Sequence, residues 1–315
     1  MILTLTPNPT IDRVIFVRRF RLGAVVRGER EVVTPSGKGV DSSLVIQELG
    51  GSTVVAGLNA GYTGKLLVNL LEDRGIAYDF VSAYGETRTA VVLVDLAVKQ
   101  QSTVTVSTLQ ATDGHLSQLL ALLDRYAGRA WGLICAGSLP SGLPVDSYTR
   151  LLRRARQRGL VALLDTSGEA LRHGVAGLPH ILKVNQYEIE WLDVDMACVP
   201  DATIGLAESL ARRLNEWASE ALIVTLGGRG TLAVTSEGSY YAQPPEVPVV
   251  NTAGAGDALN GGIMLARSRG DDWSTALALG TAAAASVVMN EGTGICRREQ
   301  VEELLPQVQV AQWLF

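Results

Sequence analysis

Residues 251–262 read Asn-Thr-Ala-Gly-Ala-Gly-Asp-Ala-Leu-Asn-Gly-Gly, and small and apolar residues continue through Met264 and Leu265. A glycine-rich lead-in to a helix leaves backbone N–H groups free to hold an anion, with the helix dipole behind them. Gly254, Ala255 and Gly256 supply that lead-in. Asp257, on the first turn, offers a carboxylate able to take a proton from a hydroxyl held against a phosphate. An acid in the first turn is equally an ordinary partner for the dipole, and the pattern alone leaves both readings open. It is not a dinucleotide fingerprint, because G-x-G-x-x-G requires glycine where the chain has Leu259. No G-x-x-x-x-G-K-[ST] loop occurs either.

Three more segments carry chemistry-bearing side chains. Gly37-Lys38-Gly39-Val40-Asp41 places a mobile cation between glycines at a helix start, or forms a plain turn with a solvated lysine. Lys183-Val184-Asn185-Gln186-Tyr187-Glu188 follows a strand; Asn185 and Glu188, three apart, are expected on one helix face. Their oxygens suit Mg²⁺ held through water, and equally suit a capping pair with N-cap Asn and N3 Glu. Thr225-Leu226-Gly227-Gly228-Arg229-Gly230 lies between two strands, as a nucleotide-wrapping loop or a hairpin turn.

The elements that must position these residues alternate. Apolar β-branched runs at 2–6, 53–58, 131–136, 160–164, 181–184 and 221–226 are separated by helical patterns at 42–49, 64–74, 116–126, 146–158 and 207–217. Strands separated by helices predict an α/β fold with a doubly wound, mainly parallel sheet. Two stretches break the rhythm: residues 14–34 and 89–106 hold short alternating strands (14–17, 31–34, 90–95, 102–106) and no helical face. They are expected to pair into a small β-sheet, a lid formed from about 12–35 and 87–107 over the C-terminal strand ends, where open α/β sheets bind ligands. With no linker and no repeat, residues 1–315 read as one domain.

Composition sets the outer limits. The 315 residues carry 27 Lys+Arg against 32 Asp+Glu, a formal charge of −5, which argues against a partner such as nucleic acid or an anionic membrane. Apolar residues at 47% and charged residues at 19% are globular values. Cys135, Cys198 and Cys296 are far apart, and His115, His173 and His180 show no zinc spacing, so reduced thiols are expected. The N-terminus lacks the pattern of a signal peptide, and the uncharged stretch 273–290 is short for a membrane span, so a buried helix there and a cytoplasmic location are expected.

Taken in order, the segments resemble the PfkB branch of the ribokinase-like carbohydrate kinases over nearly the whole chain. The carriers are Asn8-Pro9-x-x-Asp12, Gly37-Lys38-Gly39, Thr87-Arg88, Gly137-Ser138-Leu139-Pro140, Asp165-Thr166-Ser167-Gly168, Lys183-x-Asn185-x-x-Glu188, Thr225-x-Gly227-x-x-Gly230 and Gly254-Ala255-Gly256-Asp257. The first and fourth look most like the 1-phosphofructokinase, tagatose-6-phosphate kinase and minor phosphofructokinase group. The resemblance implies transfer of the ATP γ-phosphoryl to a ketohexose phosphate. Asp257 would be the base, and the N–H groups of Ala255, Gly256 and Asp257 would hold the migrating phosphoryl. It further implies Asp12, Gly37, Lys38, Gly39, Asp41 and Ser138 in the sugar pocket, and Arg88 on the substrate phosphate with help from Arg27. Lys183, Asn185 and Glu188 would face the nucleotide phosphates and Mg²⁺; Thr225, Gly227, Gly228, Gly230, Val249, Thr281 and Ala285 would surround the nucleoside. A monovalent-cation site near Asn251, Ala253, Val287, Asn290 and Gly292 belongs to the same implication, as does a homodimer paired through the lid.

The chain departs from that pattern in three places. Asp41 stands where the group has asparagine, Val184 stands where it has proline, and residues 106–110 read Val-Ser-Thr-Leu-Gln in place of an Asn-Glu-Pro-Gly segment. Two alternatives stay open at this point: a kinase of an unphosphorylated sugar or nucleoside, and a non-catalytic sugar or nucleotide sensor on the same fold.

Overall fold

The computed structural model describes residues 1–194 and 204–313; Cys198 lies outside them. The chain opens with β1 (Ile2–Thr6), β2 (Thr10–Val17), β3 (Arg30–Ser36), α1 (Lys38–Glu48), β4 (Thr53–Asn59), α2 (Gly61–Glu72) and β5 (Tyr78–Ser82). Then come β6 (Tyr84–Gly85), β7 (Arg88–Asp95), β8 (Gln100–Thr105), β9 (Leu109–Gln110), α3 (Asp113–Ala127), β10 (Gly132–Ala136) and α4 (Ser147–Gln157). β11 (Val161–Asp165), α5 (Gly168–Gly174), β12 (Ile181–Asn185), α6 (Ile204–Ala211), α7 (Leu214–Trp217) and β13 (Ala221–Thr225) follow. The last elements are β14 (Thr231–Thr235), β15 (Gly238–Gln243), α8 (Ala255–Ser268), α9 (Trp273–Val288), α10 (Arg298–Leu304) and β16 (Gln309–Trp313).

The main sheet runs β16-β15-β14-β13-β12-β11-β10-β1-β4-β5. Its seven strands from β13 to β5 are parallel, and β14, β15 and β16 extend it antiparallel. Alternation along the strands builds two cores. Leu3, Leu5, Leu133, Cys135 and Leu164 pack on one face against α3, α4 and α5; Ile2, Ile134, Leu163 and Ile223 pack on the other against α1, α8 and α9. This is the doubly wound arrangement expected. The Ala-rich stretch is the buried helix α9, and no helix among the described residues is long and apolar enough to cross a membrane.

The two β-rich interruptions pair as expected into a separate sheet, ordered β3-β2-β7-β8. Asp12 lies opposite Ala90 and Thr34, and Val14 opposite Val92. The inner face buries Val14, Phe16, Val92 and Val94, with Val250 of the main domain against them. β1 is flanked by β4 on one side and β10 on the other, so the strand order reverses there. Such a switch point opens a crevice at the C-terminal strand ends, and the small sheet starts from the same ends.

Candidate active site

α8 begins at the site by necessity of its backbone. Gly254 precedes it with φ +85°, and a Cβ there would lie 2.6 Å from Gly294 N, so only glycine fits. Gly256 and Asp257 sit in the first turn, where N–H groups have no carbonyl inside the helix to serve. Ser42 Oγ donates to the Asp257 carbonyl oxygen at 2.9 Å and ties the turn to α1. The Asp257 side chain is buried and lines a cavity of about 190 Å³. The lid supplies Asp12, Arg88, Thr103 and Thr105 to the other wall; Gly37, Lys38 and Asp41 come from the start of α1. Asp12, Asp41, Arg88 and Thr293 each present a buried polar atom with no protein partner.

A second cluster lies beside the cavity. Asp165, at the end of β11 and fully buried, accepts from Lys38 Nζ at 2.6 Å, Lys183 Nζ at 2.8 Å and Asn260 Nδ2 at 2.7 Å. Lys38 Nζ also donates to Glu188 Oε1 at 3.0 Å. Burial alone would raise Asp165, but the Lys183 and Lys38 ammonium groups outweigh it and hold the carboxyl well below the ordinary range. Burial alone would lower Lys38, but Asp165, Glu188 and Asp257 hold it charged. Asp257 has no such partner. Burial, then the negative charge of Asp165, push it up to about 7, against the pull of Lys38 and Lys183. A carboxyl poised there is suited to act as a base at neutral pH.

Asn185 ends β12 and is not helical, so it does not share a helix face with Glu188 as expected from their spacing. The two are instead locked reciprocally. Asn185 Oδ1 accepts from the N–H of Tyr187 at 2.9 Å and of Glu188 at 2.8 Å, and Glu188 Oε2 accepts from Asn185 N at 2.9 Å. This is the capping arrangement, and it aims Glu188 Oε1 at Lys38. Thr225 to Gly230 links the antiparallel pair β13 and β14 as a hairpin. A Cβ on Gly227 or Gly228 would meet nothing within 4 Å, so that surface is open. Val249 is exposed, whereas Thr281 and Ala285 are buried on α9.

A family model described as pfkB family carbohydrate kinase matches residues 6–300. The chain belongs to the pfkB family of carbohydrate kinases. It is 28% identical over 315 residues to the 1-phosphofructokinase of Bacillus subtilis, covering 99% of this chain and 100% of that one. It is 29% identical over 304 residues to the ATP-dependent 6-phosphofructokinase isozyme 2 of Mycobacterium tuberculosis, covering 96% and 88%. Among solved structures, phosphofructokinase-2 from Escherichia coli in complex with substrates and products superposes with TM-score 0.90 at 27% identity, covering 97% of this chain and 98% of that one. The same enzyme in complex with potassium gives TM-score 0.87 at 26% identity, covering 97% and 98%; its tetrameric inhibited form gives 0.86 at 26%, again covering 97% and 98%.

In this pfkB kinase the cavity brings together Asp12, Gly37, Lys38, Asp41, Arg88, Gly254 and Asp257 of the sequence-derived set. Lys38 lines it, but its ammonium turns to the Asp165 and Glu188 side. Gly39 is buried against Thr6, and Ser138 is exposed and accepts from Asn8 Nδ2 at 3.1 Å. Arg27 is exposed in the link between β2 and β3 and does not line the cavity. Asn251 is fixed by its own bonds to Glu291 O and from Ala253 N, and Asn290 donates to Ser286 O. Four residues had no assigned role from sequence: Asp165, Asn260, Ser36 and Thr293. An acid closing a parallel strand was the available signal for Asp165; Asn260, Ser36 and Thr293 left none.

Proposed function

We propose that this enzyme transfers the γ-phosphoryl group of ATP to a hydroxyl of a ketohexose monophosphate, with fructose 1-phosphate first among the acceptors. The observation that carries this reading is Asp257 at the open N-terminus of α8, lining one cavity with Arg88 and Asp12. Arg88 Nε is buried without a partner in a neutral-to-acidic wall, which supports an anionic group on the acceptor. The names of the relatives, 1-phosphofructokinase and 6-phosphofructokinase isozyme 2, support the same class.

Phosphoryl transfer asks the protein for positioning and charge stabilisation. Asp257 accepts the acceptor hydroxyl's proton as the oxygen attacks. The N–H groups of Gly256 and Asp257, with Ala255 beside them, face the equatorial phosphoryl oxygens, and Lys183 and Lys38 add positive charge. The hairpin Thr225 to Gly230, with Val249, Thr281 and Ala285, surrounds the nucleoside. Among the described residues no group of three His, Cys, Asp or Glu could hold a metal directly. Glu188, whose Oε1 faces Lys38 beside the cavity, and Asn185 would hold Mg²⁺ through water, as that ion prefers. Mg²⁺ supplies neutralisation of the nucleotide phosphates. A potassium complex in the Escherichia coli relative supports a monovalent cation near Asn251 and Asn290. The half-buried outer lid residues Val33, Val91 and Leu93, with exposed Val104, support pairing of two copies through the lid.

The test is a coupled ADP-release assay with fructose 1-phosphate, fructose 6-phosphate, tagatose 6-phosphate, fructose, ribose and adenosine. Turnover confined to a phosphosugar is expected. Turnover only on neutral acceptors, or none at all, rejects the proposal.

A further inference from the structure

Three carboxyl groups, Asp12, Asp41 and Asp257, line the cavity, and all three are buried. Lys38 on α1 and Lys183 on β12 are held by Asp165 and act on Asp257 from that side, and Arg88 from β7 faces Asp12. No cluster among the described residues could hold a metal ion to relieve the crowding. The turn packed against Asp41 Oδ1, around Gly294 and the cavity-lining Thr293, offers no cation; Glu291 nearby is paired with Arg30. Asp41 Oδ2 accepts from Ser36 Oγ at 3.0 Å, while Oδ1 is buried with no partner. An ionised Asp41 would sit between Asp12 and Asp257 with no counter-ion of its own.

We propose that Asp41 serves as a carboxylic acid, donating from Oδ1 to an oxygen of the bound sugar, and so selects an uncharged hydroxyl or carbonyl oxygen at that position. The inference rests on the phosphosugar kinase reading given above. Burial, then the charges of Asp257 and Asp12, hold the Asp41 carboxyl well above the ordinary range, against the Ser36 hydroxyl and the Gly37 N–H. As pH rises through that raised value, the donor is lost and a negative charge appears beside an anionic substrate. KM for the sugar therefore climbs on the alkaline side.

The experiment compares wild type, D41N and D41A across pH with whichever of fructose 1-phosphate, fructose 6-phosphate or tagatose 6-phosphate the enzyme accepts. D41A is expected to raise KM about 10- to 100-fold, the worth of a lost buried hydrogen bond to a polar site. D41N restores a donor of the same size, recovers most of that loss, and abolishes the alkaline climb. In ligand-free protein at neutral pH, infrared difference spectra are expected to show a protonated-carboxyl C=O band that D41N diminishes. An undiminished band, or a D41N no better than D41A, overturns the proposal. Absence of wild-type turnover on all three sugars instead rejects the functional reading, and the infrared band still decides the protonation of Asp41.

Discussion

Lys183 Nζ donates to Asp165 Oδ2 at 2.8 Å with both side chains almost fully buried. The other Asp165 oxygen takes Lys38, so one carboxylate balances two ammonium groups at the boundary of the nucleotide and sugar sides. Removing its charge strands the buried Lys183 ammonium and leaves Lys38 with Glu188 alone. D165N is expected to lose about 3–5 kcal/mol of folding stability at pH 7 in urea titration. Because the folded carboxyl is held low, its contribution is complete above the ordinary carboxylate range of about 4 and is lost as pH falls below it. Wild type should therefore show a steeper acid loss of stability than D165N. Equal stability of the two proteins at pH 7 would show that the pair contributes nothing.

Asp257 has the opposite sign. With its carboxyl near 7 in the fold, the unfolded chain ionises first as pH rises from about 4, and folded stability drops by about 1.4 kcal/mol per pH unit until pH 7. D257N removes that penalty. It is expected to be more stable than wild type at pH 8 by more than it is at pH 5, while losing about 10²- to 10⁴-fold in kcat. Wild-type kcat/KM should fall on the acid side with a midpoint about 7. A pH-independent kcat/KM between 5 and 8 would remove Asp257 as the base.

Much of this architecture is readable in the chain because the parallel strands are buried on both faces and announce themselves as apolar runs. The places where reading fails are instructive. β2 begins at Thr10, four residues before the predicted start, because Asp12 is a buried acid inside a strand and breaks the alternation. α1 begins at Lys38, within the glycine segment expected at a helix start, although helical spacing is legible only from 42 because Gly39 looks like a helix breaker; a Cβ there would lie 2.5 Å from Thr6 Oγ1. The predicted helix 207–217 is two helices, α6 and α7. β5 and α5 went unread, since a half-exposed edge strand and a seven-residue helix carry little periodicity. Lys38 to Asp165 spans 127 positions, and no local spacing encodes such a contact.

Arg88 hangs over the cavity by a single bond, from Nη1 to Thr105 Oγ1 at 3.3 Å. A phosphate would take the remaining donors. R88Q is expected to raise KM for the phosphosugar about 10- to 100-fold, the value of a charge-assisted hydrogen bond, and to leave KM for ATP nearly unchanged. Steady-state kinetics with fructose 1-phosphate and ATP each varied would separate this from general damage, because only the sugar KM should suffer. An equal rise in both KM values counts against a phosphate role.

The lid is latched to the loop that leads into α8. Gln101 Oε1 on β8 accepts from Thr252 N at 3.1 Å, at an exposed position. Q101A should weaken closure by about 0.5–1.5 kcal/mol, read as a 2- to 10-fold rise in sugar KM. A less secure lid also admits water, so ATP hydrolysis without acceptor should rise. Unaltered KM and unaltered hydrolysis would mean the bond does not report on closure.

Two glycines of one cradle should fail differently when given a methyl group. At Gly254 the added Cβ meets backbone, Gly294 N at 2.6 Å, and φ is +85°; G254A has no room to relax and should lose at least about 2 kcal/mol of stability. At Gly256 the Cβ meets only the tip of a flexible side chain, Lys183 Nζ at 2.7 Å. The ammonium can pivot away while keeping Asp165, and alanine favours the helix by about 1 kcal/mol, so G256A should lose less stability than G254A. Withdrawal moves positive charge away from the phosphoryl position, and kcat should drop about 10- to 100-fold, as when one electrostatic donor is lost. Thermal melts and single-turnover rates on the two variants test the pair together. A G256A protein with full kcat would show that Lys183 acts on Asp165 alone and not on the transferred group.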